Sequence, residues 1–229
     1  MSVCAAWFGE GHCISLGSDG ELWGFGRNTE NQVGMGEKVV RVPRKITFPT
    51  SIVSASCGFN FTVAIDEMGT LYTFGENDEG QLGIGTLTDL SNIQTVTGLP
   101  PITAVACGYF HTIVLDINHH VWSFGMNNCG QLGLNKISSL HSIEYSSPTR
   151  IQAISDDIKQ IACGKLHSVF LNFDGVVYST GKGNFGLHCE GKERSHIPAP
   201  IKVPIEGIES IACYGEGTIC LDGDGVVYA

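Results

Sequence analysis

Cysteines and histidines recur in this chain at a regular spacing that raises the question of metal ligation. The cysteines are about 50 residues apart, and a histidine follows two of them by four residues. Zinc would require such side chains to converge within about 2.0–2.3 Å of one ion, whereas equivalent positions of successive repeats lie farther apart. The nine cysteines also contain no C-x-x-C pair. We therefore predict small buried thiols, structural histidines, no metal site and no cofactor. The residues concerned are Cys57, Cys107, Cys163, Cys213, His111 and His167.

Three further motifs resemble ligand sites and are interpreted as turns or loops. Gly181, Gly183 and Gly186 reproduce the spacing G-x-G-x-x-G, but a dinucleotide site needs a helix directly after it. Asp222 to Gly225 and His119-His120 occupy positions typical of hairpin turns. No Ser/His/Asp or Cys/His spacing indicates a catalytic triad, so we predict no catalytic residues.

One segment interrupts the regular spacing and is the candidate binding loop. The stretch from Lys136 to Tyr145 contains about six residues more than its counterparts elsewhere in the chain. Loops held on a rigid scaffold often carry binding residues. A surface loop without a partner remains the alternative. The candidate partner-binding residues are Leu140, His141, Ile143, Glu144 and Tyr145.

These motifs belong to a repeat of about 50 residues. A typical copy contains a glycine, a short apolar segment, a second glycine, and an aromatic segment that ends in glycine. The apolar residues recur every second position, which indicates strands. The residues between them are also mostly apolar, so the second strand of each unit is predicted to be buried on both faces. The aromatic segments are Trp23 to Gly26, Tyr72 to Gly75, Trp122 to Gly125 and Tyr178 to Gly181.

Turn and edge residues support four strands per unit. Gly20, Gly69, Gly175 and Gly225 occupy one fixed place, where a hairpin requires positive φ, and His119 takes that place in the third copy. The segments from 43 to 48, 148 to 151 and 200 to 203 begin with proline and suit an edge strand.

The repeat predicts an all-β fold, a β-propeller of four-stranded units that bury their faces only against one another. We expect one domain over residues 1–229, with four full blades and a partial N-terminal one, as a five-bladed ring or an open arc. The approximate units are 1–42 (partial), 43–91, 92–146, 147–198 and 199–229.

Composition excludes several functional classes. Hydrophobic residues make up 42% of the chain, and 30 of its 229 residues are glycine, so disorder is not expected. No apolar stretch reaches the roughly 18 residues of a membrane span. The formal net charge of −10 argues against strong nucleic-acid binding. The N-terminus lacks the features of a secretory signal, and a cytoplasmic or nuclear protein with reduced thiols is predicted.

The repeat resembles that of the regulator of chromosome condensation family. The resemblance rests on Ala106 to Leu115, Val121 to Asn127 and Gly130 to Gly133, and similar segments recur along nearly the whole chain. It implies a propeller, which in this family typically has seven blades. The family is known for nucleotide exchange on the small GTPase Ran, and its repeats also serve as interaction modules.

Two functions follow from this resemblance. The first is a non-enzymatic scaffold or regulator that binds another protein through its loops. The alternative is a guanine nucleotide exchange factor for a Ran-like small GTPase, in which the insertion would act as the wedge that reaches the nucleotide site. In both, an acidic propeller suits a basic partner surface.

Overall fold

The computed structural model describes residues 3–141, 145–154, 157–183 and 194–229. The described residues form five antiparallel sheets, which we call blades 1 to 5. In every blade the strands are hydrogen-bonded in the order in which they occur along the chain. None of the described residues belongs to a helix long and apolar enough to cross a bilayer.

The strands are numbered in chain order. Blade 1 contains β1 (Val3–Phe8), β2 (His12–Gly17), β3 (Leu22–Arg27) and β4 (Val39–Ile46). Blade 2 contains β5 (Ile52–Cys57), β6 (Phe61–Asp66), β7 (Leu71–Gly75) and β8 (Leu90–Thr95). Blade 3 contains β9 (Ile102–Cys107), β10 (His111–Asp116), β11 (Val121–Gly125) and β12 (Thr149–Arg150). Blade 4 contains β13 (Ile158–Cys163), β14 (His167–Asn172), β15 (Val177–Gly183) and β16 (Arg194–Lys202), and blade 5 contains β17 (Ile208–Tyr214), β18 (Gly217–Asp222) and β19 (Val227–Tyr228).

The second strand of each interior blade is buried on both faces, as predicted. Every residue of β6, β10 and β14 is buried. In β6, Val63 and Ile65 pack into the core shared with blade 3, whereas Ala64 packs into the core shared with blade 1. Because successive side chains of a strand point to opposite faces, one apolar strand supplies two cores.

Four apolar cores lie between neighbouring blades. They join blades 1 and 2, 2 and 3, 3 and 4, and 4 and 5. Among the described residues no such core joins blade 5 to blade 1, and apolar side chains remain exposed on both terminal blades, including Phe8 at 73% and Val227 at 59%. The all-β propeller of four-stranded repeats is therefore confirmed, as an open arc of five blades.

The position of the incomplete blade differs from the prediction. Blade 1 has four strands and blade 5 has three. The reason is the pairing of β4, which lies beside β3 through Leu22↔Ile46 and Arg27↔Val39. The outer strand β4 thus belongs to the sheet formed by β1, β2 and β3. The observed sheets therefore do not coincide with the predicted repeat units, because the predicted boundary at 42/43 falls inside β4.

The predicted turns and edge strands have the expected geometry. Gly69 has φ of 78° and His119 has φ of 63°, which is the left-handed conformation that the hairpin requires. Pro43 and Pro200 lie in β4 and β16, the outermost strands of blades 1 and 4. Proline is tolerated there because an edge strand can lack a ladder donor.

Candidate partner-binding face

Strand direction gathers two kinds of loop at one end of the arc. Because neighbouring strands are antiparallel, the turn after the first strand and the loop after the third strand lie at the same end. Glu76 N donates to Asn60 O at 3.0 Å, and Met126 N donates to Phe110 O at 2.8 Å, which ties the two loops together in blades 2 and 3. We call this end the loop face and the opposite end the turn face.

Backbone hydrogen bonds connect the blades near the axis of the loop face. Glu10 N donates to Phe59 O at 3.3 Å, Phe59 N donates to Tyr109 O at 3.0 Å, and Tyr109 N donates to Lys165 O at 3.2 Å. Each turn is therefore fixed to the turn of the next blade. The loop face rests on a rigid frame, which suits precise binding.

The repeat histidines lie beneath these turns and join one blade to the next. His12 Nε2 lies 3.0 Å from Thr62 Oγ1, and His111 Nε2 lies 3.0 Å from Ser168 Oγ. Desolvation by burial lowers the pKa of His12 to about 4 and that of His111 to about 3. Both imidazoles are neutral at physiological pH, and they stabilise the joints between blades.

The repeat cysteines line a cavity of about 540 Å³ on the axis of the arc. Desolvation by burial raises the pKa of the Cys107 thiol to about 12 and that of the Cys213 thiol to about 12. These thiols are protonated and poor nucleophiles. In the part of the chain that the structure describes, no group of three or more His, Cys, Asp or Glu residues could hold a metal ion, and none of the eight cysteines described there forms a disulfide.

In blades 2 and 3 an asparagine fixes the shape of the loop that follows the third strand. Asn77 Oδ1 accepts from Leu82 N at 3.0 Å, and its Nδ2 donates to Thr86 O at 2.9 Å. Asn127 repeats this pattern with Leu132 N at 3.0 Å and Lys136 O at 2.9 Å. The Asn-x-x-Gly-Gln-Leu-Gly motif is therefore held by its first side chain.

The insertion of blade 3 lies over the loop of blade 2. His141 N donates to Glu79 Oε2 at 2.7 Å, and His141 Nδ1 lies 3.4 Å from Glu79 Oε1. Leu140 is 53% exposed, whereas Tyr145 is 5% exposed. Of the predicted partner-binding residues, Leu140 and His141 thus lie on the surface and Tyr145 is buried; Ile143 and Glu144 lie outside the described residues. Their role in binding stays a prediction.

Carboxylates from the loops of blades 1 and 2 lie beside this contact. The pKa of Glu76 is raised chiefly by desolvation, and the negative charges of Asp78, Asp89 and Glu30 raise it further. Desolvation and the charges of Asp78 and Glu30 likewise raise the pKa of Asp89. These groups repel one another, so this part of the loop face attracts positive charge.

Aromatic rings form a second feature near the axis. The rings of Phe59 and Tyr109 are 5.1 Å apart, those of Phe59 and Phe110 are 5.3 Å apart, and all three side chains are part-buried. Lys165 Nζ lies 4.7 Å from the centroid of the Tyr109 ring. We call Phe59, Tyr109 and Phe110 the aromatic platform.

The sequence profile of the RCC1-like domain matches residues 2–229. The chain belongs to the RCC1-like domain family. Human Protein RCC2 is 42% identical over 65 residues, which are 27% of this RCC1-like chain and 12% of RCC2.

Solved structures agree with the RCC1-like assignment. Human WBSCR16 aligns with a TM-score of 0.88 at 21% identity, covering 99% of this chain and 61% of its own. Prp20p from Saccharomyces cerevisiae, described with its binding properties to Gsp1p and histones, aligns with a TM-score of 0.84 at 21% identity, covering 96% and 55%. The RCC1-like chain thus spans about half to three-fifths of these structures, and at such identities the likeness shows the fold.

The sequence reasoning missed the aromatic platform of the RCC1-like arc. Phe59 and Tyr109 directly follow the repeat glycines Gly58 and Gly108. That shared place was a signal, because equivalent positions of neighbouring blades meet near the axis of a propeller. Within the nucleotide-like motif, Gly181 and Gly183 lie in β15, and its last three residues lie outside the described residues. Asp222 Oδ1 accepts from Asp224 N and Val226 N inside a hairpin turn.

Proposed function

We propose that this RCC1-like chain binds another protein through its loop face and acts as a non-enzymatic scaffold or regulator in the cytoplasm or nucleus. The observation that carries the proposal is that three features lie at the same end of the arc. They are the aromatic platform, the carboxylates that repel one another, and the insertion of blade 3. Aromatic side chains are enriched where proteins bind one another. The buried imidazoles of His12 and His111 beneath this face are neutral, and their Nε2 atoms contact hydroxyl groups of the next blade, so they stabilise the scaffold.

A matched pair of double variants tests the choice of face. Leu140→Asp with Glu10→Lys changes two exposed residues of the loop face, and Met68→Asp with Glu67→Lys makes the same changes on the turn face. Binding partners identified by cross-linking to the unchanged protein should be lost by the loop-face variant and kept by the turn-face variant. Equal retention of those partners by both variants would overturn the proposal.

The alternative is guanine nucleotide exchange on a Ran-like small GTPase. It is favoured by the insertion of blade 3, in which His141 contacts Glu79 in the loop of blade 2 and the preceding residue, Leu140, is exposed. Prp20p, which shares the fold, is described as having binding properties to Gsp1p. In such a reaction the insertion would displace the phosphate-binding loop while the carboxylates compete for Mg²⁺.

Release of labelled GDP tests the exchange activity directly. Purified Ran-like and Rho-like GTPases loaded with fluorescent GDP would be mixed with catalytic amounts of this protein. Acceleration that Leu140→Asp removes would support the exchange reaction. An unchanged rate with every GTPase refutes it and leaves the scaffold proposal in place.

A further inference from the structure

The turn that carries Phe59 is hydrogen-bonded to the loop that carries the carboxylates of blade 2. Asn60 directly follows Phe59, its carbonyl accepts from Glu76 N at 3.0 Å, and its side chain hydrogen-bonds with the Glu76 carboxylate. Glu76 Oε2 is buried without a hydrogen-bond partner. Asp78 and Asp89, which belong to the same loop as Glu76, are exposed.

The charges of this surface are not balanced within the described chain. The ion pairs of the described residues involve other acidic groups, such as Glu79, Glu37 and Glu216. By contrast, Glu30, Glu76, Asp78 and Asp89 have no Lys, Arg or His partner there. Their mutual repulsion is an unfavourable term that a bound cation would remove.

The platform already binds one cation from the chain itself. Lys165 Nζ lies over the Tyr109 ring at 4.7 Å, a distance at which the ring quadrupole attracts an ammonium group. Phe59 belongs to blade 2, which also carries Glu76, Asp78 and Asp89, and no Lys or Arg of the described residues lies over its ring. The Lys165 contact thus shows how a second, external cation would be held.

We propose that an arginine side chain of the partner protein binds over Phe59, with its guanidinium directed towards Glu76, Asp78 and Asp89. This rests on the proposed function, because it names the chemistry of the partner that the loop face takes. Arginine fits better than lysine because its planar group stacks on a ring while donating several hydrogen bonds to carboxylates. A purely apolar partner would leave the carboxylates desolvated and unpaired, which is costly.

The test uses a fluorescein-labelled hepta-arginine peptide, with hepta-lysine in parallel, in anisotropy titrations against the full chain. The surface variant carries Glu76→Gln, Asp78→Asn and Asp89→Asn. The control variant carries Glu67→Gln, Glu209→Gln and Asp224→Asn, which change the net charge equally at exposed positions elsewhere. We expect hepta-arginine affinity to fall about tenfold or more in the surface variant and less than about threefold in the control.

The ring contribution is tested with Phe59→Ala against Phe173→Ala, an aromatic residue that is 58% exposed in blade 4. Phe59→Ala should weaken hepta-arginine binding by about three- to tenfold and hepta-lysine binding by less, whereas Phe173→Ala should change neither. Melting curves verify that each variant folds. Equal losses in the surface and control variants, or the same effect of both phenylalanine substitutions, would overturn the arginine site.

The outcomes separate this inference from the proposed function. If the peptide binds as expected but the loop-face double variant keeps its protein partners, the proposed function fails and the arginine site stands. If partner binding depends on the loop face but the peptide is insensitive to the surface variant, the arginine site fails and the proposed function stands.

Discussion

The indole Nε1 of Trp122 donates a hydrogen bond to Asp116 Oδ2 at 2.9 Å. The same carboxylate receives Asn118 N and His120 N through its other oxygen. One aspartate therefore accepts hydrogen bonds both from backbone N–H groups of the hairpin turn and from the side chain of the aromatic residue six positions later. Asp66 does the same for Tyr72 at 3.1 Å.

Blade 1 lacks this aspartate, and Gly17→Asp should stabilise it. Gly17 occupies the place of Asp116, and Trp23 Nε1 is buried without a partner. A carboxylate at residue 17 would accept this donor, although the Asp19 side chain has to move away from the new Cβ. We expect a gain of about 1 kcal/mol, which raises the Tm by about 2–4 °C. Gly17→Ala is the control in calorimetry, and an equal gain with alanine would contradict the hydrogen bond.

Acid should destabilise the arc through its buried histidines. Desolvation by burial lowers the pKa of His111 from its ordinary value of 6.5 to about 3 in the folded chain, so the unfolded chain takes up the proton at a higher pH. The contribution of His111 to the free energy of unfolding is therefore constant above pH 6.5. It decreases as the pH falls from 6.5 to the folded pKa of about 3. At pH 5 this histidine alone should cost about 2 kcal/mol. Urea unfolding at pH 7.5 and pH 5 measures the difference.

His111→Phe is the matched variant for that measurement. Phe61 occupies the equivalent place in blade 2 and is fully buried, so a ring without a titratable nitrogen fits this position. Ser168 Oγ would keep its hydrogen bond to Gln131 O at 2.7 Å. The variant should lose about 2 kcal/mol less than the original protein between the two pH values. An unchanged pH dependence would show that His111 is not its source.

Gly108→Ala should be strongly destabilising. A Cβ at this position would overlap the ring of His111 and would lie 2.8 Å from Gly164 O in the next blade. Because the ring and the backbone are both fixed, we expect a loss of about 2–4 kcal/mol. Gly36→Ala is the control, since nothing lies within 4 Å of its added Cβ. Chemical denaturation should separate the two variants, and similar stabilities would contradict the packing of the ring.

Glu79→Ala should release the insertion from blade 2. The Glu79 carboxylate is the acceptor for His141 N at 2.7 Å, and losing this charged hydrogen bond should cost about 1–3 kcal/mol locally. Hydrogen exchange of residues 136–141 should therefore accelerate by about tenfold. In Asp78→Ala the carbonyl that His141 Nδ1 contacts remains, so exchange there should stay unchanged. Equal protection in both variants would contradict the role of Glu79.

The glycines and histidines that recur in the repeat show which features of the fold can be predicted from the sequence. Positive φ at Gly69 and His119 follows from local turn chemistry, which a sequence displays directly. The need for Gly108 is different, because its reason is the ring of His111 and the backbone of Gly164. The sequence showed that Gly108 recurs in the repeat. It did not show that the His111 ring and the Gly164 backbone occupy the space that a side chain at this position would need.

The candidate site depends still more on contacts between repeats. The sequence predicted the insertion as a candidate binding loop, but its contact with Glu79 joins residues 62 positions apart. Tyr145 was predicted to bind a partner and is buried. The aromatic platform joins Phe59 to Tyr109 across two blades, and no spacing within one repeat predicts such a pair.

The sequence by itself determined the strand period, the turn conformations and the repeat, because these depend on neighbouring residues and recur in every unit. Only the tertiary structure decided that β4 completes the preceding sheet, and that each histidine bonds to the hydroxyl of the next blade. The physical reason is that similar repeats present nearly equivalent partners. The choice among them is made by hydrogen bonding and burial in three dimensions, and the same packing joins the turn of Phe59 to the loop of Glu76.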